Sequence, residues 1–207
     1  PPKTLPLLAY LLLNREQILP RQQIAFTLWP DETEEEARTN LRRHLHHLQR
    51  ALPSTEQPWL LLDAAHAGWN PASDFWLDVS AFERGTADEG SLAEAIALYN
   101  GDLLEGLYDD WLFFDRERLR ERYFTALNRL LALARSRRDY STALQWAGLM
   151  LARDPFREDA VRQAIGLRYA LGDRTAALAE YERFRELLGQ EMRSEEHTSE
   201  LQSRQSI

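Results

Sequence analysis

Thr33-Glu34-Glu35-Glu36-Ala37-Arg38-Thr39-Asn40-Leu41-Arg42-Arg43-His44-Leu45-His46-His47-Leu48-Gln49-Arg50-Ala51-Leu52 is the stretch on which the fold turns. It opens as a helix start with a stated mechanism. Thr33 caps, and Glu36 three residues on completes a capping box. The three glutamates suit the positive end of a helix dipole. From there Ala37, Leu41, Leu45, Leu48 and Leu52 recur at i, i+4, i+8, i+11 and i+15. At about 100° per residue they fall within one narrow stripe, the buried face of an amphipathic helix. Pro53 ends it. The opposite face carries Thr39, Arg43, His46, His47 and Arg50, with Arg38 and Arg42 on the flank. Between Ala37 and Thr55 stand four arginines, three histidines and no acid. Arginine donates bidentately to guanine in a major groove and also grips phosphate. Charged outer faces are common on solvated helices, so the neighbours of this helix decide between the two readings.

Upstream, residues 3–13 read as a short amphipathic or buried helix and Ile18-Leu19-Pro20 as a brief extended link. Residues 21–28 read as a second short helix with Ile24, Ala25 and Leu28 on one face, stopped by Pro30. Trp29-Pro30-Asp31-Glu32 joins it to the long helix as an exposed, acidic connection. Downstream, Trp59-Leu60-Leu61-Leu62 is strand-like, Ala65-His66-Ala67-Gly68 offers a turn, and Trp69 and Pro71 close a small hairpin. Helix, helix, long helix, hairpin is the order of a winged helix, a helix-turn-helix variant. That order favours the nucleic-acid reading. The candidate DNA contacts are Thr39, Arg42, Arg43, His46, His47 and Arg50, with His66 from the hairpin tip. Trp69 is expected to pack on the core. His44 and His47 have the i, i+3 spacing of a metal pair, but no cysteine or acid on that segment completes a site, and no metal or cofactor is expected.

Residues 73–84, containing Trp76-Leu77-Asp78-Val79 and Phe82, read as a joint. Helices follow at residues 91–99, 110–136, 140–153, 157–171 and 174–190, separated by Asn100-Gly101, Arg138-Asp139, Asp154-Pro155 and Gly172-Asp173. Asp139-Tyr140-Ser141-Thr142-Ala143-Leu144 is echoed by Asp173-Arg174-Thr175-Ala176-Ala177-Leu178, 34 residues later. That is the tetratricopeptide period, and Ala143 and Ala177 are small enough for close helix pairing. An ordinary helical bundle is the competing architecture. Arg116, Glu117, Arg118, Arg120, Glu121 and Arg122 form a charge run expected to pair at i, i+4 on a solvated face. Trp111, Phe113, Phe114, Tyr123, Phe124, Trp146, Tyr169, Tyr181 and Phe184 are expected mostly in the helical core, some of them lining a concave surface for a protein partner.

Composition bounds the function. The net charge of −8 argues against a general nucleic-acid coat protein, though not against a local basic surface. The absence of cysteine excludes disulfides and thiolate metal sites and fits a reducing cytoplasm. No apolar run approaches the roughly 18 residues of a membrane span. The run from Leu5 to Leu13 lacks the flanks of a signal peptide. No nucleophile elbow, dinucleotide fingerprint or phosphate loop is present, so an enzyme is not expected.

Leu7-Leu8-Ala9-Tyr10-Leu11, Leu28-Trp29-Pro30 and Ala37-Arg38-Thr39-Asn40-Leu41-Arg42 resemble the winged helix of the antibiotic-regulatory-protein (SARP) type of bacterial transcriptional activators. Trp76-Leu77-Asp78-Val79 with Phe82 resembles their junction. Gly101-Asp102-Leu103-Leu104-Glu105-Gly106, Trp111, Arg118-Leu119-Arg120, Asp154-Pro155-Phe156-Arg157-Glu158 and Gly172-Asp173-Arg174 with Tyr181 resemble their bacterial transcriptional activation domain. The resemblance covers nearly all of residues 1–192. It implies a recognition helix in the major groove carrying Thr39, Arg42, Arg43, His46 and Arg50, and tandem binding to promoter direct repeats of double-stranded DNA. It also implies contact with RNA polymerase, for which the loop Trp29, Pro30, Asp31 and Glu32 is the candidate. A cytoplasmic bacterial protein, nucleoid-associated when bound, follows from the same resemblance.

The expected fold is therefore mainly α. An N-terminally truncated winged helix-turn-helix occupies residues 1–72, its first sheet missing, so that the first helix exposes a face. A tetratricopeptide-like helical domain occupies residues 73–192. Residues 193–203 translate one frame of a common sequencing adapter in order, and residues 193–207 are expected to be a disordered tail. The expected function is sequence-specific activation of transcription. The alternative is a helical-repeat interaction or signal-sensing module whose winged helix does not bind DNA.

Overall fold

The computed structural model describes residues 3–205, with side chains to residue 193. It divides into two compact units. The first contains the residues up to Leu77 together with Gly101–Arg118, and the second contains Asp78–Asn100 and the residues from Leu119 onward.

In the first unit, α1 (Thr4–Leu13), β1 (Leu19–Pro20), α2 (Arg21–Leu28), α3 (Glu34–Ala51), β2 (Leu60–Leu62) and β3 (His66–Trp69) follow one another. The strands form an antiparallel sheet of order β1-β3-β2, with Leu19 opposite Ala67 and Leu60 opposite Trp69. Leu7 and Leu11 of α1, Ile24 and Leu28 of α2, and Leu41 and Leu45 of α3 meet in one core. Trp69 packs there as expected, its ring 5.6 Å from Trp59 and 5.2 Å from Phe75. On α1, Leu5 is exposed while Leu8 and Leu12 are half-buried.

Three readings of this region change. The link at Leu19-Pro20 is a strand, because the edge position tolerates a proline that donates nothing. The hairpin turn lies one step earlier than residues 65–68. Asp63 accepts the amide hydrogens of Ala65 and His66, each at 2.7 Å, which folds the chain at residues 63–65 and frees His66-Ala67-Gly68-Trp69 to be β3. Gly68 is needed there, since a Cβ would stand 2.9 Å from the Gln17 carbonyl oxygen. Trp29 is buried rather than exposed. It continues the apolar side of α2 and sets its ring 5.4 Å from that of His44.

Residues 101–118 complete this unit. Trp111 meets Tyr10 edge to face at 5.1 Å, and Lys3 pairs with Asp109. Arg116 donates to the carbonyls of Leu103, Leu104 and Leu107 at 2.6–2.7 Å, so it anchors a loop rather than joining a solvated charge run. Leu104 has φ of +52°, and its held carbonyl is part of what fixes that backbone.

The second unit begins with α4 (Asp78–Ala87), in place of the expected joint, followed by a short 3-10 turn and α5 (Leu92–Leu98). Then come α6 (Leu112–Ser136, in this unit from Leu119), α7 (Tyr140–Arg153), α8 (Glu158–Ala170) and α9 (Arg174–Gln205). Ala143 and Ala147 of α7 pack against Ala164 and Leu167 of α8 and Leu131 and Ala134 of α6. The turns Arg138-Asp139 and Gly172-Asp173 are built alike, which makes the 34-residue echo a structural repeat. Each Asp caps the next helix, accepting from Thr142 at 3.0 Å and Ala176 at 2.9 Å.

Tyr123 and Phe124 are core residues, but Phe113, Phe114, Tyr169 and Tyr181 are exposed, contrary to the core expectation for the group. The backbone of α9 runs helical through Gln205 in place of the structureless tail expected from residue 193. Residues 193–205 contain neither proline nor glycine to stop it. Of that tail, residues 206 and 207 lie outside the described residues.

Candidate nucleic-acid interface

The capping box forms as the spacing requires. The Thr33 hydroxyl accepts the Glu36 amide hydrogen at 3.4 Å, and the Thr33 amide donates to Glu36 at 3.1 Å. The Thr33 hydroxyl also donates to the Glu36 carboxylate at 2.6 Å, and this bond, then the one from the Thr33 amide, holds the Glu36 carboxyl below its ordinary pKa. With the start fixed, Ala37, Leu41, Leu45 and Leu48 are buried, and the helical period then presents Thr39, Arg42, Arg43, His46, His47 and Arg50 to solvent. All six candidate residues on α3 therefore share its exposed side.

Among the described residues, Arg42 and Arg50 meet no carboxylate. Arg38 is paired with Glu34 at 2.5 Å on the flank. Arg43 is held differently. Its guanidinium donates to the Asn40 side-chain oxygen at 2.7 Å, and the Asn40 amide donates in turn to Glu32. Glu32, in the loop before the helix, thus orients an arginine more than two turns further on. Asn40 and this role for Glu32 escaped sequence reasoning. The signal available was an amide three residues before an arginine, which is weak taken alone.

His44 stands apart from the exposed histidines. It is buried, and its Nδ1 lies 2.8 Å from the Thr4 hydroxyl. Burial lowers its pKa, helped by the nearby Arg43 and His47. It is a neutral core residue linking α1 to α3. Among the described residues no three potential ligands gather to hold a metal.

His66 is exposed at the start of β3, with Nδ1 3.3 Å from the Asp63 carboxylate. Its carbonyl accepts from the Arg21 guanidinium at 3.2 Å. Arg21 therefore sits beside the hairpin, a cation that the linear reading did not place there. The loop before α3 divides: Trp29 is core, while Pro30, Asp31 and Glu32 are exposed. They border an open cavity of about 320 Å³ with Tyr108, Asp109 and Asp110. Its rim is acidic, and its one cation, Lys3, is paired with Asp109.

Two family models match the chain. The model described as bacterial transcriptional activator domain matches residues 78–206, more than half of the length. The model described as transcriptional regulatory protein, C terminal, matches residues 1–69. No match is found among curated proteins. No helix among the described residues is long and apolar enough to cross a membrane. A winged helix of the transcriptional-regulatory-protein kind followed by a bacterial transcriptional activator domain defines a family, and the chain belongs to it: the SARP-type bacterial transcriptional activators.

Proposed function

We propose that the chain activates transcription by reading double-stranded DNA with α3 in the major groove. The observation that carries this reading is the single-sign face of α3. Arg42, Arg43, His46, His47 and Arg50 are all exposed on a helix rigidly seated by its leucines, in a protein whose net charge is −8. A major groove admits one α-helix, and exposed arginines on it serve both base edges and phosphates. Thr39 adds a short polar contact. His66 and Arg21 beside the hairpin supply a second point of attachment to the backbone. Promoter direct repeats occupied by tandem copies, in the bacterial cytoplasm and nucleoid, are the setting this reading entails. The acidic loop Pro30 to Glu32 is the surface offered to RNA polymerase, with Trp29 serving beneath it as its support. The second unit carries a further surface for a protein partner.

The test is a titration of a selected duplex at several salt concentrations. Arg43→Ala with Arg50→Ala should weaken binding and lower the magnitude of the log–log salt slope by about 0.9 for each phosphate no longer neutralised. Unchanged affinity together with an unchanged slope would sink the assignment of this face.

A further inference from the structure

Within the second unit an open groove of about 510 Å³ runs along α5 and α7 over α6. Ile96 and Leu149 wall it, Tyr99, Tyr123 and Trp146 supply aromatic surface, and Arg153 stands at the C-terminal end of α7. Tyr99 and Tyr123 stack at 4.4 Å, and the Arg153 guanidinium lies 5.3 Å from the centre of the Tyr99 ring. Burial raises the Tyr123 pKa, which keeps its phenol neutral.

Arg153 differs from the other half-buried arginines of this unit. Arg120 faces Asp154 at 3.8 Å, Arg129 donates to the Thr86 carbonyl at 2.8 Å, Arg157 meets Asp159 at 3.2 Å, and Arg168 meets Glu180 at 3.3 Å. Among the described residues Arg153 meets no carboxylate and no carbonyl, only the ring face. Its neighbour Asp154 is turned to Arg120. The C-terminal pole of α7 offsets part of the charge. It leaves the donors of a partly desolvated guanidinium unmet, and such groups are normally paired.

We propose that this groove binds an extended segment of a partner protein, with one large apolar side chain between Ile96 and Leu149 and one carboxylate on Arg153. This inference rests on the reading that the second unit carries a protein-contact surface. The dimensions select the occupant. Trp146 to Arg153 spans about 10 Å of helix, room for roughly three residues of extended chain. Side chains two apart on an extended chain point the same way, so the apolar residue and the acid stand at i and i+2. The groove is open along its length, whereas sites for free small molecules enclose most of the ligand.

The experiment titrates the full chain with acetylated, amidated pentapeptides of alanine carrying Leu and Glu two residues apart, followed by amide chemical shifts. The controls carry Leu with Gln, or Ala with Glu, and 4-methylpentanoate serves as a free small carboxylate. The Leu–Glu peptide should bind about tenfold more tightly than Leu–Gln. That preference should vanish in Arg153→Gln and persist in Arg153→Lys, with both variants melting like the parent. If Arg153→Gln does not fold, Arg153→Met takes its place. Leu149→Ala should weaken the Glu and Gln peptides alike. DNA affinity should not change in any of these variants, which separates this site from the α3 face. Equal binding of Glu and Gln peptides overturns the proposal, as does 4-methylpentanoate matching the peptide. A Glu preference that survives Arg153→Gln leaves a partner surface in the unit but removes it from this groove. No peptide binding to the parent chain removes both.

Discussion

Arg43 shows how one side chain can be oriented by two others. A free arginine on a solvated helix samples many rotamers, and ordering it costs on the order of 1–2 kcal/mol. Here Asn40 holds the guanidinium at 2.7 Å, and Glu32 holds Asn40, so much of that ordering is already in place. Asn40 is half-buried on α3, which limits its own freedom. The arrangement separates two quantities that arginine usually contributes together. The charge attracts phosphate at any orientation, whereas base discrimination needs the planar fork correctly placed. Asn40→Ala should therefore reduce discrimination at one base pair about tenfold, within the range that one bidentate pair provides. The salt slope should stay as in the parent protein. Competition binding against single-base variants of a selected duplex measures both. A changed slope with intact discrimination would show that Asn40 serves the charge rather than the geometry. Trp29 and His44 make the opposite case at this scale. Both stand in polar surroundings in the sequence, yet both are core, because the partners that bury them, such as Thr4, lie on another helix.

At the scale of elements, the two matched turns of the second unit carry the clearest energetic contrast. After α8, Gly172 donates to the Tyr169 carbonyl and Asp173 to that of Arg168, the Schellman pattern, with Gly172 at φ +84°. After α6, Arg138 donates to Arg135 and Asp139 to Ala134, the same pattern, but the left-handed residue is Arg138 at φ +59°. A side chain there costs roughly 1 kcal/mol that glycine avoids. Arg138→Gly should raise stability by up to about 1 kcal/mol, and Gly172→Ala should lower it by a similar amount. Denaturant midpoints of the two variants, taken at unchanged m, measure this; a destabilised Arg138→Gly would mean that the arginine side chain contributes more than its backbone costs. The same turns show what the sequence makes legible. The capping box at Thr33, the leucine stripe of α3, and the limits of α2 and α7 were readable because their causes lie within a few residues. The break at Arg138-Asp139 was readable as a break, but not as a strained one. α4 was missed because Gly85 and Thr86 weaken its local signal. Gly85 is present for packing, since a Cβ there would stand 2.8 Å from that of Ala95. β1 was missed because a two-residue strand exists only through its pairing with β3. The exposed face of α3 was legible as a pattern, while the Glu32–Asn40–Arg43 chain was not, since it depends on rotamers.

At the scale of the whole molecule, the two compact units are not consecutive in sequence. The first unit takes in residues 101–118, reached only after α4 and α5 of the second unit have been completed. The attachment is by specific contacts: Trp111 on Tyr10, Lys3 with Asp109, and Arg116 on three carbonyls of its own segment. Tyr10 belongs to α1, and α1 packs on α3, so support for the candidate recognition helix comes partly from a stretch matched by the activator-domain model. Trp111→Ala puts this to the test. The ring is half-buried, so the expected loss is about 2 kcal/mol, below the roughly 3–5 kcal/mol of a fully buried aromatic. By linkage that loss lowers amide protection about thirtyfold wherever exchange proceeds through opening of the first unit. Native-state hydrogen exchange should show that fall at Leu11 in α1 and Leu41 in α3, and little change at Ala147 and Ala164 in the second unit. An equal fall at all four amides would mean that the chain opens as one cooperative body. No fall at Leu11 and Leu41 would mean that residues 101–118 lend the first unit no stability.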